Sequence, residues 1–311
     1  MRIQGIWVFR VCFFAAVAVI VKTVFFPGGY SKNGWPLPTG NGILDRQRTT
    51  KYLMSNGLSK SHCNIIYDAV GGELYPKGFA ITINDHDCAK LDWVKDMPIW
   101  RLDLSHTKVA DLTPIGNNGN VVQLDLGKTP VKDLGPLGRD NALKCLTLNG
   151  TKVTDLSPLS RVYDLESLDI SDTQVTNLLP LAIIWKDNYR SIVFLADNTG
   201  ICDISPLAAA LRFTLISIEH TKVADLSPLH ELKEIRTLRI RGIPCDDFSP
   251  VPVDGLDELR IDIDKDWKGL ERLRTKKRLE INGMKPEEFW KEYDRLKAER
   301  DNKAKEGVMG H

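Results

Sequence analysis

The chain has 311 residues, 42% of them apolar and 27% charged, with a formal net charge of +1. Such a chain folds into a soluble body with a long core, and a balance so near neutrality excludes the bulk positive charge that draws proteins to nucleic acid.

The N-terminus differs in kind from the rest. Residues 11–21 are an uninterrupted apolar run behind Arg2 and Arg10, and the apolar character continues past Lys22 to Phe26. The span 3–26 is long enough for a bilayer core of about 30 Å, with Arg10 and Lys22 snorkelling from it. Residues 1–26 therefore read as a signal anchor, and a signal peptide cleaved near Gly29-Tyr30-Ser31 is the rival reading. Either places the remainder outside the cytoplasm, as a single-pass membrane protein or a secreted one. A buried core helix fits less well, because nothing nearby offers it a surface to pack on. Residues 27–42, PGGYSKNGWPLPTGNG, hold too much Gly and Pro for regular structure and form a linker. Residues 43–78 are predicted to be a helical N-terminal cap. One apolar pattern there runs through Leu44, Tyr52 and Leu53, and a second from Ser61 through Ile65, Ile66 and Val70 to Gly71-Gly72.

From residue 79 the chain is repetitive. The pattern reads LDLSHTKVADLTPI from Leu102, LDLGKTPVKDLGPL from Leu124, LTLNGTKVTDLSPL from Leu146 and LDISDTQVTNLLPL from Leu168. It returns as FLADNTGICDISPL from Phe194 and ISIEHTKVADLSPL from Ile216. The step is 22 residues except for one of 26, where IWKDNY (184–189) is inserted and its aromatic pair forms either a recognition bulge or a bulge packed on the outer surface. Residues 79–94 are a worn copy, with Ile81 and Ile83 as strand residues, His86 in the threonine slot, and Cys88 and Leu91 in core slots. Beyond Leu229 the motif decays: Leu238, Ile240, Ile243 and Phe248 keep phase, while Leu259 with Ile261 and Leu279 with Ile281 keep only a strand, at steps of 21 and 20. A period of 20–30 with leucines at fixed offsets means stacked solenoid coils, worn at the ends.

Each position in a coil has a task. Leu146 and Leu148 alternate as a strand does and enter the core, while Cys145, Thr147 and Asn149 face outward. Val153, Leu156 and Leu159 are further inward knobs. Asp155 precedes Leu-Ser-Pro-Leu as an N-cap precedes one helical turn, and Pro158 falls where its missing N–H costs little. A lone coil buries too few aliphatic side chains to offset the entropy of ordering it, so stability comes from stacking.

The pattern LxLxxTxVxDLSPL resembles the leucine-rich repeats of the internalin type over roughly residues 80–284. The resemblance implies an α/β leucine-rich-repeat solenoid with a concave parallel β-sheet and short 3₁₀ turns on the convex side, capped by helices at both ends. Thr151 stands where such repeats usually carry Asn, and its hydroxyl is suited to satisfying backbone groups of the turn.

After the solenoid (79–284), Lys285-Pro286-Glu287-Glu288 opens a helix to residue 300, whose stripe of Phe289, Trp290, Tyr293 and Leu296 caps the open core. Residues 301–311 read as a loose tail. Of the six cysteines, Cys12 lies in the apolar segment, while Cys88, Cys202 and Cys245 fall in valine slots of the core. Core thiols behave as small apolar groups and keep a cytoplasmic orientation open, and only Cys63 with Cys88 is a reasonable disulfide pair.

No phosphate loop, Cys-x-x-Cys, His-Glu-x-x-His or Gly-x-Ser-x-Gly occurs, so no enzyme, cofactor or metal site is expected. Asp85-His86-Asp87 reads as turn chemistry, not as a metal cluster. The functional expectation rests on the outward strand columns. One column reads Thr82, Asp103, Asp125, Thr147, Asp169, Leu195, Ser217, Arg239, Arg260, Glu280, and the next Ser105, Gly127, Asn149, Ser171, Asp197, Glu219, Arg241, Asp262. Neighbours in a column lie about 4.8 Å apart, so Asp103 beside Asp125, and Arg239 beside Arg260, are like charges held close, a pattern that costs stability and hints at binding. A merely solvated, screened face is the competing reading. Asp103, Asp125, Asp169, Arg239, Arg241 and Arg260 are the candidate contact residues, in a monomeric module for a protein or peptide. The alternative is an accessory or regulatory scaffold subunit of a membrane-associated complex.

Overall fold

The computed structural model describes residues 63–66, 79–83, 86–94, 99–116, 118–138, 142–186 and 190–309, with Lys51 and Met97. The expected anchor (1–26), the linker (27–42) and most of the expected cap (43–78) lie outside them.

An eleven-stranded sheet holds, in chain order, β1 (Cys63–Ile66), β2 (Phe79–Ile83), β3 (Ile99–Asp103), β4 (Gln123–Asp125), β5 (Cys145–Thr147), β6 (Ser167–Asp169), β7 (Ile192–Leu195), β8 (Arg212–Ser217), β9 (Glu234–Arg239), β10 (Glu258–Arg260) and β11 (Glu280–Ile281). The pairs from β2 onward are parallel, whereas β1 joins β2 antiparallel. Leu102 pairs with Leu124, then Leu146, Leu168, Phe194 and Ile216 follow in one row. The register predicted from the repeat is therefore the register found. The 26-residue step does not break it, since Leu168 still pairs with Phe194.

Three backbone devices recur in the central coils. The hydroxyls of Thr107, Thr129, Thr151, Thr173, Thr199 and Thr221 donate to the carbonyl three residues back at 2.6–2.8 Å. The preceding residue takes a left-handed φ, as in His106 (62°) and Lys128 (58°), which turns its N–H onto the next coil's carbonyl. Behind the sheet, Asp111, Asp133, Asp155, Asp203, Asp225 and Asp247 each accept the N–H two residues on, at 2.8 Å. Asp155 so caps the 3₁₀ turn Ser157–Arg161 from one residue upstream of Leu156, which occupies the N-cap position itself. Coil spacing is tight: a Cβ on Gly138 would meet the Pro158 carbonyl oxygen at 2.6 Å.

The threonine bond gives a stability prediction. Thr151→Val keeps shape but deletes the donor to a buried carbonyl, and is expected to lower unfolding free energy by about 1 kcal/mol. Combining Thr107→Val with Thr199→Val, four coils apart, should cost about twice as much in a denaturant titration, since distant sites add.

In the 26-residue copy the 3₁₀ turn is replaced by a helix, α1 (Leu179–Trp185). Trp185 is no recognition bulge: it is fully buried, with its ring edge-on to Phe194 (5.4 Å) and Phe213 (5.7 Å). Residues 187–189 of the insert lie outside the described residues.

Four further places differ from expectation, three of them at the ends. Cys63–Ile66 is strand where the apolar pattern suggested helix; its backbone pairs with the outer edge of β2, whose N–H and C=O groups would otherwise lack partners. Ile281, rather than Leu279, pairs with Leu259, so Asn282 and not Glu280 continues the column beyond Arg260. Both Leu279 and Ile281 are buried, which is why the sequence pattern allowed either phase. The closing helix, α2 (Pro286–Met309), runs nine residues past the expected stop, through residues 301–309. No proline or glycine interrupts 287–306, and Arg295 pairs with Glu292 and Glu299 along the helix. Cys202 is exposed, because Ile201 fills the valine slot.

The capping role of the C-terminal stripe is as expected. Phe289 and Tyr293 stack at 5.7 Å over the last coil, and the Tyr293 hydroxyl accepts the Trp267 N–H at 3.2 Å. Cys202 and Cys245 are free thiols, and the Cys63 side chain lies outside the described ones. No helix among the described residues is long and apolar enough to cross a membrane.

Candidate functional site

The sheet's outward face carries the two columns. Register places Asp103 directly beside Asp125, and Asp169 one strand beyond Thr147. Each carboxylate commits an oxygen to its own chain. Asp103 accepts from the N–H (3.0 Å) and hydroxyl (2.7 Å) of Ser105, Asp125 from Gly127 N–H (2.9 Å), and Asp169 from Ser171 N–H (2.9 Å). These bonds fix the carboxylates in place and leave acceptor capacity over, while no ion pair joins any of the three among the described residues.

The cost shows in their proton affinities. Burial pushes the Asp125 carboxyl up to about 6 against the opposing pull of Gly127 N–H, with smaller effects from the repulsion of Asp103 and Asp169 and the attraction of Arg101. Asp169 is raised mainly by burial, helped by Asp197. Two acids outside the candidate set extend the field. Asp197 accepts from Ser217 Oγ (2.6 Å) and Glu219 N–H (2.8 Å), and Glu219 is raised by burial and by Asp197. Both stand in the second column, which the sequence reading laid out but did not weigh as a continuation of the first.

The basic end is less free than the columns suggested. Arg239 and Arg260 are not an uncompensated pair of like charges, for Glu258 reaches both, at 3.4 and 2.9 Å. Glu258 lies in a third outward column, one residue before Leu259, and was missed because only two columns were compared. Arg241, whose charge pulls on Glu219, donates to Asn282 Oδ1 at 2.8 Å, while Asp262 is taken by Gly242 N–H. The register shift that puts Asn282 beside Arg260 makes this contact possible. Among the described residues no three His, Cys, Asp or Glu side chains converge as a metal site. His86 instead bonds the His106 carbonyl through Nδ1, as a turn residue does.

Fold and face together define a leucine-rich-repeat solenoid with a parallel concave sheet. Among solved structures, its likeness is to internalins and other leucine-rich-repeat proteins. An internalin C2 from Listeria monocytogenes superposes with a TM-score of 0.54 at 24% identity, over 59% of this chain and 80% of that one. The internalin inlF from the same organism gives 0.51 at 20% identity, over 65% of this chain and 55% of that one. A leucine-rich-repeat protein of Leptospira interrogans gives 0.51 at 15% identity, over 64% and 55%. This chain thus spans little more than half of the latter two, and likeness at these identities concerns the fold. No protein-family model and no curated protein sequence matches the chain.

Proposed function

We propose that this chain is a non-enzymatic interaction module whose concave face captures a protein or peptide. A cationic stretch of the partner lies along Asp103, Asp125 and Asp169, and an acidic group meets Arg239, Arg241 and Arg260. The observation that carries the reading is the carboxylate column, held rigidly by backbone bonds, partly desolvated, and joined to no cation by an ion pair among the described residues. Preorganised charge of this kind lowers stability and is recovered on binding. From β3 to β10 is seven strand steps, roughly 34 Å, which suits an extended segment of about ten residues. The apolar segment 3–26 supports display outside the cytoplasmic membrane, anchored or secreted.

The test uses the full chain and a peptide with a lysine-rich and a glutamate-rich end. Asp103→Asn, Asp125→Asn and Asp169→Asn together keep the backbone acceptors, whereas charge reversal would break them. The triple variant is expected to bind at least about tenfold more weakly with its fold intact, and raised salt should weaken the unaltered chain likewise. Equal binding by variant and parent removes the proposal. A scaffold subunit is the second reading, favoured by the same apolar segment. It predicts a constitutive complex that co-purifies in mild detergent.

A further inference from the structure

Of the three arginines at the basic end, two are joined to an acid and the third is held differently. Glu258 lies against Arg239 at 3.4 Å and Arg260 at 2.9 Å, whereas no ion pair reaches Arg241 among the described residues. Glu219 is attracted by the Arg241 charge without pairing to it, and both oxygens of Asp262 accept the Gly242 N–H, at 3.1 and 2.9 Å. Arg241 is nonetheless fixed in place. Its Nη2 donates at 2.8 Å to Oδ1 of Asn282, 41 residues further along the chain. Asn282 in turn spends its whole carboxamide on β10, where Oδ1 accepts the Ile261 N–H at 3.1 Å and Nδ2 donates to the Ile261 carbonyl at 3.0 Å. Turning the amide over would set donor against donor and oxygen against oxygen, so it is the oxygen that meets Arg241. The left-handed φ of Asn282 (57°), a conformation asparagine tolerates better than most residues, aims the side chain this way.

We infer that Arg241 is the cation that first takes the partner's acidic group, a carboxylate, and that Asn282 is the positioning residue that aims it. The inference rests on the proposed capture of a peptide by the concave face. Its argument is the difference between a neutral and a charged acceptor. An amide oxygen holds a guanidinium in place and leaves its charge uncancelled, whereas a carboxylate such as Glu258 does both at once. Arg239 and Arg260 meet an incoming acid after Glu258 has been displaced; Arg241 meets it directly. A guanidinium already fixed also gives up less rotamer freedom on binding, and its planar fork suits a carboxylate. Asn282 belongs to the last coil, reached through the register that pairs Leu259 with Ile281. The closing coil is thus part of the site as well as its end.

The test measures binding of the full chain, in mild detergent, to two peptides: one with a lysine-rich and a glutamate-rich end, and its twin with glutamine in place of each glutamate. The parent is expected to prefer the glutamate peptide. Asn282→Gly suits the left-handed backbone and removes the carboxamide, and should weaken the glutamate peptide at least about fivefold while leaving the glutamine peptide unchanged. Arg241→Gln leaves the bonds between Asn282 and Ile261 in place and should cause the same selective loss. Combining the two should cost no more than Arg241→Gln alone, because Asn282 acts through that arginine. A loss at Asn282→Gly that falls equally on both peptides marks a structural role and overturns the inference. So does a preference that survives either substitution, or costs that simply add. A parent that binds both peptides alike removes the acidic-group half of the proposed function and this inference with it, and a parent that binds neither removes the whole reading.

Discussion

Trp185→Ala is expected to lower unfolding free energy by about 3–5 kcal/mol, the largest single-residue effect in the solenoid. The ring is fully buried and meets both Phe194 and Phe213 edge-on, so three successive coils share one aromatic cluster where the back turn widens into α1. Coils of a solenoid touch only their neighbours, and a cavity at this joint uncouples the stack on its two sides. The expected denaturation curve is therefore both earlier and broader, or split. Trp185→Phe should cost under about 2 kcal/mol, since the indole N–H has no acceptor among the described residues and its loss offsets part of the lost contact. Equal costs for the two substitutions would show that the cluster is not what joins these coils.

Asp125→Asn is expected to raise stability at pH 7 by on the order of 1 kcal/mol, unusual for a change to a residue with a role in the turn. Its folded-state pKa of about 6 lies above the ordinary 3.8, so between those values the native chain holds more protons than the unfolded one. Stability accordingly falls as pH rises from about 4 through 6, and the penalty is fully present at 7. Asparagine keeps the acceptor for Gly127 N–H and removes the charge. Asp169 and Glu219 are shifted in the same direction. The convex caps work the other way: Asp155 and Asp225 are held below the usual range, and Asp247 at about 2, by the hydroxyl and N–H of the serine two residues on, with Lys268 helping at Asp247. Their contribution is present above the ordinary carboxylate range and is lost as pH falls toward 2. The parent should thus melt higher at pH 5 than at pH 7.5, and Asp125→Asn should flatten that difference. A parent most stable at pH 7.5, with no gain in the variant, would place Asp125 in solvent rather than in a partly desolvated column.

The strand register was legible because Leu102, Leu124 and Leu146 recur at a constant step, and a slip of one residue would turn every leucine outward. At the last coils Leu279 and Ile281 are both apolar, and the periodicity could not choose between them; the choice moved Asn282, not Glu280, beside Arg260. Chain order also hid Glu258, whose partners Arg239 and Arg260 lie on its own strand and its neighbour. The length of α2 was missed for a different reason. Residues 301–309 show no apolar stripe, and their helix continues from a terminus already fixed by Phe289, Trp290 and Tyr293, so no nucleus is needed.

Glu258 has a consequence for selectivity. Held between two guanidinium groups by its own strand, it is an internal competitor for any acid that approaches Arg239 or Arg260, present at a local concentration no free ion attains. If the concave face binds as proposed, isolated carboxylates and simple buffer anions would be screened out, and only a group already delivered by contacts elsewhere on the face would displace it. On the proposed reading, the arginine end would act as a second lock, opened after the acidic column has been engaged.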